Sequence, residues 1–421
     1  MTGRDRMPQL VDHLFRHESG RIVSMLTRVF GIDRLDLAED VVQEALLKAL
    51  QQWPYSGVPD NPPAWIMQVA RNHALDILRR EQNITSKEGA IAGEIEHPDE
   101  AELFLEREIE DDQLRMMFAC CHPALGRESQ IALTLKTLCG FGTGEIARAF
   151  LVNEETIHKR LVRAKQKLRE HRAEFEIPSG NDLGVRLEAV QQTLYLLFNE
   201  GYNASAGEEL IRKDLCDEAI RLTRLLAQHN AGNVGTTHAL LALMLLHGSR
   251  FNARLDHLGN LLLLKDQDRK TWDKSLIAAG LQELDLSAEG GEISEYHLEA
   301  GIAACHCLAE SYDATNWSRI LTLYDMLVRI NDSPVVSLNR AIALSKVEGP
   351  EAGILAVEEI KLHKHLDSYY LLHAVLGELY TAVRNFEEAA KSYRKALELT
   401  QVRSEQVFLT GKLEFVKRSM N

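Results

Sequence analysis

The chain has 421 residues, 45 % of them apolar and 26 % charged, which suits about three soluble globular domains and excludes wholesale disorder or a collagen-like repeat. Its apolar runs, such as Leu240–Leu246, are far too short to cross a bilayer. The start shows no basic-then-apolar leader, so the expected compartment is the cytoplasm. Only 10 prolines and 6 % aromatics, with Leu, Ala, Glu and Arg prominent, favour an all-α fold.

The formal net charge of −14 argues against a general nucleic-acid binder, but the charge is unevenly spread. Residues 1–80 are balanced, 81–112 carry a net −10, 113–180 a net +4, and 181–421 a net −8. The acidic stretch, with Gly89, Gly93 and Pro98, reads as a flexible, solvated tether, or as a segment imitating nucleic-acid charge within a partner's basic channel. None of the six cysteines forms a C-x-x-C pair. Cys120-Cys121-His122 and Cys305-His306-Cys307 fan around a helix instead of converging, so buried small cysteines are expected and no metal.

The run from Asp36 to Leu50 predicts a helix with Leu35, Ala38, Val42, Ala45, Leu46 and Ala49 on its inner face. Asp36, Asp40, Gln43, Glu44 and Leu47 fall opposite, a leucine set among carboxylates that can be either a solvated face or a covered one. Trp53-Pro54-Tyr55-Ser56-Gly57 reads as a loop whose rings could stack an unpaired base or plug a gap between helices. After the Pro62-Pro63 start signal a second helix is expected over Ala64–Arg80, with Ile66, Val69, Ala70, His73 and Ile77 inside. Arg71, Asn72 and Arg79 lie outside with Arg80 at the edge, a face suited to phosphate and base contact.

Residues 113–180 carry the strongest local pattern. Phe141–Gly144 is a turn, Glu145–Phe150 a short helix, Leu151–Asn153 a second turn, and a basic helix follows from Glu154 to about Arg172. Thr143 and Asn153 are expected N-caps. Helix, three-residue turn and basic helix form a helix-turn-helix pattern. Ile157, Leu161, Ala164 and Leu168 must face the core, leaving Glu155, Thr156, Lys159, Arg160, Arg163 and Gln166 able to read a major groove. Lys165, Lys167, Arg169 and Arg172 suit phosphates.

Together these segments resemble a sigma factor of the extracytoplasmic-function type. DLAEDVVQEALLKAL resembles the family's helix that docks on the clamp coiled coil of RNA polymerase, AWIMQVARNHALDILRR its minus-ten helix, and LCGFGTGEIARAFLVNEETIHKRLVRAKQKLR its minus-thirty-five helix-turn-helix. MFACCHPAL, YLLFNEGYNAS and DQDRKTW resemble the subgroup with a long C-terminal tetratricopeptide-like region. The resemblance implies that Asp36, Asp40, Gln43, Glu44 and Leu47 touch polymerase and that Arg71, Asn72, Asp76, Arg79 and Arg80 lie near minus-ten DNA. It also implies polymerase clamp and flap contacts and a flipped base held around Trp53–Asn61. No nucleophile–base pair, metal spacing or nucleotide loop stands out in the sequence, so no enzymatic activity is expected. The small positive surplus of residues 113–180 predicts weak binding of promoter duplex by the free chain.

Farther on, Leu376, Gly377, Tyr380, Ala389, Tyr393 and Ala396 match the spacing of a 34-residue tetratricopeptide repeat. Looser pairs, Glu295–Ala309 with Trp317–Ile330 and Pro334–Val347 with Glu351–Ile360, extend it into a degenerate α-solenoid open to a peptide, protein or small molecule. The polar blocks Asn199–Asn203 and Asp266–Arg269 could line a ligand groove, pack on the first domains, or merely cap helices. The expected organisation is thus 1–85 for polymerase and minus-ten binding, 86–112 as acidic linker, 113–178 as helix-turn-helix, and 179–421 as a tetratricopeptide-like regulatory region. The function is then a promoter-specificity subunit regulated by its own tail. The alternative is a DNA-binding regulator with a tetratricopeptide sensor, acting on polymerase that keeps another sigma factor.

Overall fold

The computed structural model describes residues 18–85, 106–150, 152–171, 173–202, 212–256, 262–289, 291–364, 369–400 and 403–420. These residues are helical with no strand among them, and the chain forms two compact units, residues 1–197 and 198–421.

In the first unit, α1 covers residues 18–30 and ends at Gly31, whose φ of +85° needs glycine. Ser24 and Thr27 are buried in α1 because their hydroxyls donate to the carbonyls one turn back, each at 2.7 Å. In α2 (Leu35–Ser56) every expected inner residue is buried, and Val41 joins them. The helix does not stop where the sequence predicts a loop. It runs through Pro54 to Gly57, whose N–H closes on the Trp53 carbonyl at 3.0 Å. Pro54 removes one helical donor, and the neighbouring bonds hold the last turn. Trp53 is 2 % exposed and packs edge-to-face on Trp65, with ring centroids 5.4 Å apart, so it plugs the gap between helices.

Helix α3 spans Pro62–Thr85. Its buried line is Ile66, Met67, Ala70 and Ala74, while Val69, His73 and Ile77 are only half-buried. The stripe is therefore turned by one position from the expected one, on the side that packs against α2. The acidic segment is shorter than expected as a tether. Residues 86–105 lie outside the described residues, and 106–112 already belong to α4 (Glu106–Cys120). Asp112 is fully buried there, with Arg115 at 2.7 Å and Arg28 of α1 at 3.4 Å. A buried carboxylate with two guanidiniums satisfies its charge locally and anchors α4 to α1.

Helices α5 (Arg127–Thr137), α6 (Thr143–Ala149) and α7 (Glu154–Glu170) build the helix-turn-helix. Asn153 caps α7, accepting from the Thr156 N–H at 2.8 Å. Thr143 is not a cap. It starts α6, and its hydroxyl donates to Glu154 at 2.5 Å, while Glu145 accepts from the Gly142 N–H at 2.8 Å. Ile157, Leu161, Ala164 and Leu168 are buried as expected. Cys120, Cys121 and Cys139 are also buried, and burial pushes the Cys121 thiol up to about 11. Helix α8 (Asn181–Tyr202) carries the boundary between the units.

The second unit is organised around α10 (Gly235–Gly248), whose run from Ala239 to Leu246 is buried on every side. It packs on α9 (Lys213–Gln228), α11 (Lys274–Ser287) and α12 (Glu295–Leu308), which explains an apolar run without a polar face. Helices α13 (Trp317–Ile330), α14 (Pro334–Glu348), α15 (Pro350–Lys364), α16 (Tyr370–Ala382), α17 (Phe386–Leu399) and α18 (Arg403–Met420) follow, each packed on the next. Between α16 and α17 a Cβ on Gly377 would stand 2.6 Å from the Tyr393 ring, so only glycine admits that ring. Ala389 and Ala396 are wholly buried at the same contact. Cys216 is buried, whereas Cys305 and Cys307 are half-buried, more open than expected.

Candidate polymerase and nucleic-acid interfaces

On α2, Asp40, Gln43, Glu44 and Leu47 project from one face, and Leu47 is 57 % exposed. An exposed leucine rimmed by carboxylates suits the centre of a protein interface better than a solvated surface. Glu44 lies 3.0 Å from His73 Nδ1 of α3, which fixes the flank of this face. Asp36 stands apart from the others. It sits in the first turn of α2 and is engaged by α7: Lys165 Nζ lies 2.7 Å from Asp36 and 2.7 Å from Glu39, and Arg169 lies 2.9 Å from Asp36. Lys165 and Arg169, expected to meet phosphate, instead share one face of α7 four residues apart and close on the acidic end of α2.

Glu39 is the residue that the period of the helix does not reveal. It is 7 % exposed, one of its oxygens has no hydrogen-bond partner, and burial holds its carboxyl above the usual value despite Lys165. Lys165, also desolvated but facing two carboxylates, is held above the usual lysine value. Asp36 is partly desolvated, yet Lys165 and Arg169 bring it below the usual carboxylate value. A second close approach joins the same two regions, since a Cβ on Gly20 of α1 would lie 2.1 Å from the Leu138 carbonyl oxygen after α5. Regions that the sequence separates by an acidic stretch are thus packed together within the first unit.

On α3, Asn72, Asp76, Arg79 and Arg80 are exposed and share one outer side of the helix, whereas Arg71 is half-buried and lies half a turn round from Arg80. Asn72 accepts from Gln68 at 3.2 Å. On α7, Glu155, Lys159, Arg163 and Gln166 are exposed. Glu155 and Lys159 pair at 2.7 Å, and Gln166 donates to Glu170 at 2.8 Å. Thr156 is occupied by the Asn153 cap, its hydroxyl at 2.7 Å. Arg160 lies against the Phe150 ring and pairs with Glu128 of α5 at 2.5 Å, bracing the helix-turn-helix. The outer face of α7 therefore offers Lys159, Arg163 and Gln166 on a rigid helix, which is the chemistry of base-edge and phosphate contact.

No helix among the described residues is long and apolar enough to cross a membrane. Residues 14–84 match the family described as Sigma-70 region 2, and residues 115–168 that described as Sigma-70, region 4. Residues 186–288 match a family of unknown function, DUF6596. An uncharacterized protein of Rhizobium meliloti (strain 1021), R00370, is 40 % identical over 387 residues, 90 % of each chain. No solved structure matches. Sigma-70 regions 2 and 4 imply core RNA polymerase and promoter DNA as partners. The chain belongs to the sigma-70 family, as a sigma factor of the extracytoplasmic-function type with a C-terminal helical extension.

Proposed function

We propose that this sigma factor seats on core polymerase through Asp40, Gln43, Glu44 and Leu47 and is regulated by its own C-terminal extension. Arg71, Asn72, Asp76, Arg79 and Arg80 would meet the minus-ten element, and Glu155, Lys159, Arg163 and Gln166 the minus-thirty-five element. The carrying observation is Leu47, exposed among carboxylates on a helix whose inner face is buried. A regulator that leaves another sigma factor in place has no use for such a face. The helical series from α12 to α18, with its tetratricopeptide-like spacing at α16 and α17, supports a sensing or scaffolding role for the tail.

The packing of Lys165 and Arg169 on Asp36 adds a constraint on how the factor works. Polymerase holds minus-ten and minus-thirty-five readers at a fixed separation, so the contact between α2 and α7 must open on assembly. The test is co-purification of full-length chain with core polymerase. Asp40→Ala with Leu47→Ser abolishes it if the face is the seat, and leaves it intact if the chain is a helix-turn-helix regulator that merely visits DNA. The variant's helicity is unaffected because both side chains are exposed.

A further inference from the structure

Two polar motifs of the sequence meet within the second unit. Tyr202 is the last described residue of α8, Arg250 and Arg254 follow α10, Arg269 and Trp272 precede α11, and His306 lies in the last turn of α12. Arg254 is 7 % exposed; its guanidinium lies 3.9 Å from the Tyr202 ring centroid and donates to the Tyr202 carbonyl. Arg250 donates one nitrogen to the Tyr202 hydroxyl at 2.6 Å and to His247 Nδ1 at 2.8 Å. Trp272, 4 % exposed, lies beneath both Arg269 (4.8 Å from its ring centroid) and Arg250 (5.7 Å). Arg269 donates to the carbonyls of His306 and Ala309.

Three guanidiniums gather there, and none forms an ion pair with a carboxylate among the described residues. Their compensation is partial. Arg254 and Arg269 rest on carbonyls at the ends of α8 and α12, where the helix dipole supplies about half a negative charge each. Arg250 has only a neutral hydroxyl and an imidazole, which the arginines and burial keep uncharged, as they do His306. Nη1 and Nε of Arg250, and Nη2 and Nε of Arg254, have no partner among the described residues. Trp272 Nε1 and His306 Nδ1 are buried without one. A surface run of arginines would be solvated and ordinary. Here Arg254 is removed from water and lies against the Tyr202 ring, with Arg250 and Arg269 half-buried beside it over Trp272, a partly desolvated positive charge that an anion relieves.

We propose that Arg250 and Arg254, with Trp272 and Arg269 beside them, form a binding site for a small-molecule dianion, a phosphate monoester. Two guanidiniums call for two negative charges, and a phosphate dianion presents three oxygens to their forks where a monocarboxylate presents one charge and two oxygens. The inference rests on the regulatory reading only in making this ligand the signal that the tail senses; binding itself does not depend on it.

The test is titration of the full-length chain with inorganic phosphate at constant ionic strength, chloride making up the balance, following melting temperature and tryptophan fluorescence. A saturable response with a midpoint on the order of millimolar is expected, since a bare fragment of the ligand makes few contacts. A general salt effect rises without saturating. Acetate gives no response, and succinate a weaker one. Arg250→Gln weakens phosphate at least tenfold, and so does Arg250→Lys, which keeps the charge and folds if the glutamine variant does not. Arg221→Gln, whose guanidinium pairs with Glu218 at 2.9 Å, binds like wild type. The site is refuted if phosphate shows no saturable response or if the Arg250 variants respond as wild type does. Succinate binding as tightly as phosphate overturns the phosphate assignment. Binding without any effect on promoter-directed transcription keeps the site and refutes its role as a sensor.

Discussion

Lys165→Met removes the only cation within hydrogen-bond reach of Glu39 among the described residues and leaves its carboxylate 7 % exposed. Truncating one side of a buried pair costs roughly 3–5 kcal/mol, because the remaining charge stays desolvated. Glu39 has an escape by taking up a proton, which limits the loss. From the ordinary value of 4.5 to pH 7.5 that escape costs about 4 kcal/mol, and less because burial already raises Glu39. A loss of about 3 kcal/mol is therefore expected, about 150-fold in the equilibrium between packed and open α7. Hydrogen exchange of α7 and the first turns of α2 in the full-length chain measures it, as local opening is read separately from unfolding of the second unit. Lys165→Met combined with Glu39→Met replaces the pair by apolar chains of similar length and should recover to within about 1 kcal/mol of wild type. Unchanged protection in the single variant, or no recovery in the double, would refute the reasoning.

Other expectations are open to simple measurements. Gly377→Val drives a branched side chain into the Tyr393 ring and should cost about 1–3 kcal/mol by overpacking, seen as a lower melting temperature of the extension. Burial and the arginines around it bring His306 down to about 3. Its unfolded form therefore binds the proton first, and its stabilising contribution is complete above pH 6.5 and lost as pH falls toward 3. Melting at pH 7 and pH 5 should show a steeper loss for wild type than for His306→Gln, with some slope remaining from His247, which is also held low. Free chain should bind promoter duplex only weakly at physiological salt. A sub-micromolar dissociation constant would mean that α7 and α3 already bear the spacing that polymerase is supposed to provide.

The helices nearest to a strict period were the most legible. Ile157, Leu161, Ala164 and Leu168 recur at 3.6 residues, and the Asn153 cap sits where a side-chain acceptor must be, so α7 could be read almost to its end. The end of α2 could not. Pro54 and Gly57 look like punctuation, yet one missing donor is tolerated when Trp53 finds a partner in Trp65, twelve residues away and across a turn. Glu39 was illegible for a different reason: its burial depends on Lys165, 126 residues later. No local pattern carries such a pairing, although an acidic residue beside the buried Ala38 and Val42 is a signal that a cation must come from elsewhere. The same holds for Arg250 and Arg254, ordinary polar residues after an apolar helix until Tyr202 and Trp272 close on them. At α16 and α17, by contrast, Gly377 and Tyr393 are read from spacing alone because one contact needs both.

Competition for polymerase tests the central claim most directly. Core polymerase loaded with a fluorescent housekeeping sigma factor is titrated with the full-length chain, and the release of label is followed by anisotropy. A factor that takes the sigma seat through the acidic face of α2 expels the label in proportion to its occupancy, and Asp40→Ala with Leu47→Ser does not. Should the label remain bound while the chain joins it in a ternary complex, the protein is not acting as a sigma subunit.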